Sequence, residues 1–374
     1  MGVKSPTKGM PWNGTPTELL ERLSNAFGPS GFERDPAALI ADFGRGLRYD
    51  TSSDNLGSVV ITVKGRSEAP KILLGAHIDE VGFVVTGIDS ETGFLTFAPL
   101  GGWFDQVLLG HRVTIRTLRG DITGVFASKP PHLLSSEERD KVIKMDSMFI
   151  DVGTHNKVTT EDELGIRVGD PVVPSSVFET IRKGRIAVGK AFDDRVGVLV
   201  GLEVLRGLKE KQLRLPGTIS FAATVQEEVG LRGAQTVANL VKPDVAIALE
   251  VDIAGDVPGI RSREAPTKLG QGPAILTYDA SMIPNQEFKR FVIEAAEKEN
   301  IPHQLSVSLH GGTDAGKFQV NRGGCPSIVI GVPARHIHSY SSMIDFSDVE
   351  ATVNLVLALI KQLDSTTVRR FVER

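Results

Sequence analysis

Five short clusters of acidic and imidazole side chains stand out in this chain: His77-Ile78-Asp79, Asp193-Asp194-Arg195, Gln226-Glu227-Glu228, Glu250-Val251-Asp252 and Arg335-His336-Ile337-His338. Oxygen and imidazole donors with no cysteine among them suit divalent cations, and gathered in one place they would form a two-metal hydrolytic centre. His77 and Asp79 alternate along extended chain, so both side chains leave the same face. A metal-bound imidazole commonly gives its other ring N–H to a carboxylate, which makes His77 a ligand and Asp79 its orienting partner. A plain His–Asp hydrogen bond at a strand end would use the same two residues. One of Asp193 and Asp194 can cap a helix while the other bridges two cations. Adjacent Glu227 and Glu228 point in different directions, so one can bind metal while the other faces substrate as a general base. Either Glu250 or Asp252, and either His336 or His338, completes the set. If Asp193 bridges, each cation has three protein ligands and room for water, the open arrangement of catalytic zinc. Two divalent cations outweigh three carboxylates in charge, which favours hydroxide near neutral pH.

Buried strands must position these groups. Four of the clusters follow apolar runs at 72–76, 218–225, 245–249 and 327–332, and the fifth opens a helical pattern at 196–208. In open α/β sheets ligands gather beyond the carboxyl ends of the strands, where these clusters fall. Helical periodicity also marks 16–27, behind the capping box Thr15-Pro16-Thr17-Glu18, and 36–43, 230–240 and 287–299. Ser347-Asp348-Val349-Glu350 reads as a second capping box, opening a last helix, and 53–63 reads as one alternating strand. From about Gly82 to about Gly189 hairpin signals replace the alternation of strand and helix. The expected fold is α/β: a mostly parallel sheet flanked by helices, in residues 1–85 and 186–374, with an inserted all-β domain in 86–185.

Composition excludes several classes. The 374 residues are 41% hydrophobic and 24% charged, with 42 basic against 46 acidic side chains and a formal net charge of −4. That balance offers no footprint for nucleic acid or an anionic membrane. No apolar run approaches the roughly 18 residues of a spanning helix. The opening MGVKSPTKGMPWNGT lacks a secretory apolar core, and Pro6 stands where a myristoylation signal needs Ser or Thr. Cys325, the single cysteine, reads as a small buried filler. These features fit a cytoplasmic protein. Gly311 to Lys317 has the spacing of a phosphate-binding loop, but Phe318 replaces the magnesium-binding hydroxyl.

The motifs GPSGFE (28–33), GAHIDEVGF (75–83), LGGW (100–103), KPPH (129–132), AFDDRVG (191–197), VQEEVGLRGA (225–234), GTDAG (312–316) and PARHIHS (333–339) resemble, in order, those of the M42 metallo-aminopeptidases. That family includes glutamyl and deblocking aminopeptidases and members once labelled endoglucanases. The resemblance implies a dinuclear site in a zinc-peptidase-like domain, with a PDZ-like β insert used in assembly. It places one metal on His77, Asp193 and Glu250 and the other on Asp193, Glu228 and His338. Glu227 becomes the general base and Asp79 the group that orients His77. Glu250 departs from the family's usual aspartate at the fourth ligand position, and Asp252 stays open as the alternative. Thr313-Asp314 lines the site without an assigned role. The resemblance further implies two divalent ions per subunit, zinc or cobalt with manganese also accepted. It implies short peptides as substrates, release of their N-terminal residue, and a homo-oligomer, the tetrahedral dodecamer of the family. The alternatives are a glycoside hydrolase, which works with paired carboxylates alone, and a catalytically silent binding or scaffold protein.

Overall fold

The computed structural model describes residues 14–373. The targeting signals sought in the first thirteen residues lie outside that range. Two bodies of secondary structure are present. One is an eleven-stranded sheet covered by helices, and the other is a closed barrel of six strands.

The sheet is built around Thr218–Thr224, Lys71–His77, Val245–Ile253 and Ser327–Arg335, which lie side by side and parallel. Their side chains alternate between two cores. Ile72, Leu74, Ile219, Phe221, Ile247 and Leu249 enter one, and Leu73, Ala222, Ala246 and Ala248 enter the other. Burial on both faces is why these segments read as unbroken apolar runs. Helix Phe192–Glu210 crosses the first face so closely that a Cβ on Gly201 would lie 2.0 Å from the Phe221 ring. Helix Phe346–Gln362 packs beside it.

The expectation of a mostly parallel sheet is corrected. Val59–Val63 pairs antiparallel with the central strand Thr218–Thr224, and Asp50–Ser53 pairs antiparallel with Val59–Val63. On the far side Ser342–Asp345 pairs antiparallel with Ser327–Arg335, Ile186–Gly189 with Ser342–Asp345, and Glu179–Ile181 with Ile186–Gly189. Several of these strands are joined to a neighbour by a few residues, too short a connection for the crossover that parallel pairing needs. The single strand expected over 53–63 is a hairpin. Asp54 breaks it by accepting the backbone N–H groups of Leu56, Gly57 and Ser58. The first capping box forms as expected on helix Pro16–Asn25. The second does not: Asp345 caps helix Phe346–Gln362 through the Ser347 N–H, and a further helix, Ser365–Arg370, follows it.

The barrel strands are Gly82–Ile88, Leu95–Leu100, Arg112–Thr117, Gly120–Ala127, Phe149–Asp151 and Pro171–Pro174, paired antiparallel throughout. They enclose a separate core around Phe83, Phe126, Ile115 and Val172. Among the described residues no helix is long and apolar enough to cross a membrane.

Candidate metal centre

The carboxyl ends of the parallel strands deliver the site. His77 ends its strand opposite Thr224 of the neighbour, and the chain turns at once into Gln226-Glu227-Glu228. Glu250 lies within the next strand, opposite Gly331, and His338 follows the last. Asp193 and Asp194 enter from the start of the crossing helix, with non-helical backbone angles that aim their carboxylates differently.

Asp193 joins the two histidines. Its Oδ1 lies 3.1 Å from His77 Nε2 and its Oδ2 lies 3.1 Å from His338 Nε2. Glu250 Oε2 is 3.8 Å from His77 Nε2, and Glu228 Oε1 is 3.3 Å from His338 Nε2. The opposite ring nitrogens face acceptors. His77 Nδ1 is 3.2 Å from the Asp79 carbonyl and 3.5 Å from its carboxylate, and His338 Nδ1 is 2.8 Å from the Gly102 carbonyl. A carbonyl only accepts, so both Nδ1 atoms carry hydrogen. Each Nε2 lone pair then points at carboxylate oxygens, which is repulsive unless a proton or a cation stands between them. With protons alone, burial opposes the charged rings but the carboxylates prevail. His338 is pushed up to about 11 and His77 well above its usual value. Acceptors converging on acceptors, with Glu228 Oε1 buried and without a hydrogen-bond donor, are a donor set that fits divalent cations.

The neighbours hold this arrangement in register. The buried Asp79 carboxylate accepts the N–H groups of Glu227 at 3.0 Å and Glu228 at 3.2 Å and the Ser30 hydroxyl at 2.6 Å. It therefore fixes the glutamate turn as well as flanking His77. Glu227 is largely buried. Burial raises its pKa well above the usual range against the opposing charge of His77, and repulsion from Glu250, Asp314 and Glu228 adds to the rise. Asp194 is fully buried and accepts backbone N–H groups from His77 at 3.2 Å and Gly197 at 3.0 Å. It also lies near His77 and Glu250, close enough to form a second grouping of candidate ligands. Each oxygen of Asp193 addresses a different imidazole, while those of Asp194 are engaged by the main chain.

The open alternatives separate in space. Asp252 is removed from the cluster: Thr267 donates to it at 2.5 Å and Ser306 at 2.9 and 3.0 Å. His336 is exposed, whereas His338 faces Asp193 and Glu228. Asp314, given no role by the sequence, is fully buried beside the cluster. It accepts the Thr224 hydroxyl at 2.5 Å, and its N–H points to Glu250 Oε1 at 3.4 Å. Gly102 and Ser30 also escaped notice as site residues, because backbone carbonyls and single hydroxyls leave no sequence signal beyond the motifs that contain them.

A family profile described as M42 glutamyl aminopeptidase matches residues 57–355. The chain belongs to the M42 family of aminopeptidases. M42 relatives cover nearly its whole length. The TET aminopeptidase of the marine sediment archaeon Thaumarchaeota archaeon SCGC AB-539-E09 is 52% identical, with a TM-score of 0.93 over 96% of this chain and 99% of that one. The glutamyl aminopeptidase of Lactococcus lactis subsp. cremoris is 33% identical over 94% of this chain and 97% of its own. The Pyrococcus horikoshii TET1 peptidase, described as assembling into a tetrahedron or a large octahedral shell, is 32% identical. Its TM-score is 0.81, over 92% of this chain and 99% of that one.

Proposed function

We propose that this chain is a metal-dependent aminopeptidase that removes the N-terminal residue of short peptides at the cluster around Asp193. The observation that carries this reading is the division of one carboxylate between two imidazoles, at 3.1 Å each, with a further glutamate beside each ring. His77, Asp193 and Glu250 would hold one divalent cation and Asp193, Glu228 and His338 the other, zinc or cobalt with manganese also accepted. Such a pair supplies Lewis-acid polarisation of the scissile carbonyl and lowers the pKa of attacking water.

The chain's own residues do the rest. Glu227 takes a proton from the attacking water and returns it to the leaving amine. Its burial among other carboxylates favours holding a proton between the two transfers. Asp79 holds the Glu227 main chain and, with its own carbonyl, the His77 ring. We assign residues 1–85 and 186–374 to the catalytic unit and 86–185 to an assembly module, in a homo-oligomer and as a tetrahedral dodecamer.

A panel of aminoacyl chromogenic substrates, run on chelated protein and after addition of each metal, tests the reading. Hydrolysis that is lost with chelator and restored by cobalt or zinc is expected. Chelator-insensitive cleavage of a β-glucan, with no aminoacyl substrate turned over, would overturn it in favour of a glycoside hydrolase.

A further inference from the structure

The two bodies of the molecule meet at the segment 336–341, which joins strands Ser327–Arg335 and Ser342–Asp345 and carries His338. Two residues beyond His338, Tyr340 leaves the sheet. It is 5% exposed and belongs to the barrel's apolar core, with Phe83, Val113 and Val172. Its ring stacks on His111 with centroids 4.2 Å apart, and its carbonyl accepts the Ser176 hydroxyl at 2.5 Å. The barrel reaches back in turn. Gly102, just after strand Leu95–Leu100, accepts the His338 Nδ1 hydrogen at 2.8 Å. Gly101 beside it has φ +84, and a Cβ there would lie 2.7 Å from the Val81 side chain and 3.1 Å from Glu228 Cβ, so only glycine allows this approach. His338 itself sits at φ 54, a left-handed conformation that a non-glycine residue keeps only when its surroundings enforce it.

We infer that the barrel is a positioning element of the catalytic centre: Tyr340 anchors the His338 segment in the barrel core, and the Gly102 carbonyl sets the ring so that Nε2 faces Asp193 and Glu228. The inference rests on His338 being a metal ligand and goes beyond an assembly role for the barrel. Tyr340 is a positioning residue, since it touches neither metal ligand carboxylate nor substrate. Its hydroxyl is buried without a partner, so the aromatic ring and not the hydroxyl is what the latch uses.

The test titrates metal-free full-length protein with Zn²⁺ in a calorimeter and follows the His338 Nδ1–H resonance in ¹⁵N-histidine-labelled, metal-free protein. Tyr340→Ala is expected to weaken one of two Zn²⁺ sites roughly tenfold or more, the usual consequence of losing a partner that orients a metal-binding histidine. The other site stays as in the wild type, and the Nδ1–H resonance loses its protection from exchange. Tyr340→Phe is expected to behave as wild type. His111→Ala, an exposed change that leaves the barrel core intact, is expected to weaken the same site about two- to tenfold, as loss of an aromatic pair would. If Tyr340→Ala does not fold, His111→Ala decides. Wild-type Zn²⁺ affinities at both sites with an unmoved His338 resonance would overturn the inference. If the wild type binds no Zn²⁺, the metal reading fails separately, and the protection of the Nδ1–H in the variants still decides the latch.

Discussion

Asp193 and Asp194 are adjacent, chemically identical and both beside His77, yet the proposed function gives them opposite tasks. Asparagine at each position separates those tasks. In Asp194→Asn one oxygen becomes an NH2 group facing the N–H of either His77 or Gly197, both of which now donate to that carboxylate. One buried backbone N–H is left without an acceptor, at a cost of about 1–3 kcal/mol. For a large domain this lowers the melting temperature by about 2–4 °C per kcal/mol. In Asp193→Asn the NH2 group must face either His77 Nε2 or His338 Nε2, each 3.1 Å from a carboxylate oxygen. A bridging ligand becomes a single-oxygen ligand, and at least one cation is lost. The affinity penalty should exceed the ten- to hundredfold typical of disturbing an outer partner. Elemental analysis after dialysis against defined free Zn²⁺, paired with thermal melts, reads both effects. Asp194→Asn should melt lower while retaining two ions per chain, and Asp193→Asn should retain one or none. Two ions bound by Asp193→Asn with wild-type affinity would refute the bridging assignment and turn attention to the His77, Asp194 and Glu250 grouping.

Three further outcomes follow from the same geometry. Glu227→Gln should keep both ions and lose about 10²- to 10⁴-fold in kcat, the range of a positioned acid–base group; near-normal turnover would remove Glu227 from that role. Glu250→Ala should reduce bound metal whereas Asp252→Asn should not, because Asp252 is engaged by Thr267 and Ser306; metal analysis of the two variants distinguishes them. Gly201→Ala should destabilise the fold by about 1–3 kcal/mol or more through overpacking, since its Cβ would lie 2.0 Å from the Phe221 ring; chemical denaturation measures this, and an unchanged midpoint would contradict the tight crossing of helix and sheet.

Much of the site was legible because strand ends announce themselves. A run buried on both faces that stops at His77, or that passes Thr224 into two glutamates, can only place those groups at the sheet's edge. The hairpin Arg112–Thr117 and Gly120–Ala127 was equally plain, from alternation on both sides of Arg119-Gly120-Asp121. The choice between Glu250 and Asp252 was not legible. They share a strand face, and what separates them is the arrival of Thr267 and Ser306 from distant loops. The antiparallel wings of the sheet were hidden for a related reason, since pairing direction depends on which neighbour a short strand meets. Asp345 displaced the expected cap at Ser347 because either residue satisfies the local rule and tertiary position chose between them. The Gly102–His338 contact spans 236 positions and involves a carbonyl, which every residue has.

The proposed function requires two cations to meet across one aspartate. Anomalous diffraction at the zinc edge, from crystals grown with Zn²⁺, tests this most directly. Two peaks are expected, one on each side of the Asp193 carboxylate, the first against His77 and Glu250 and the second against His338 and Glu228. A single peak away from Asp193, or no peak among these residues at saturating Zn²⁺, would contradict it.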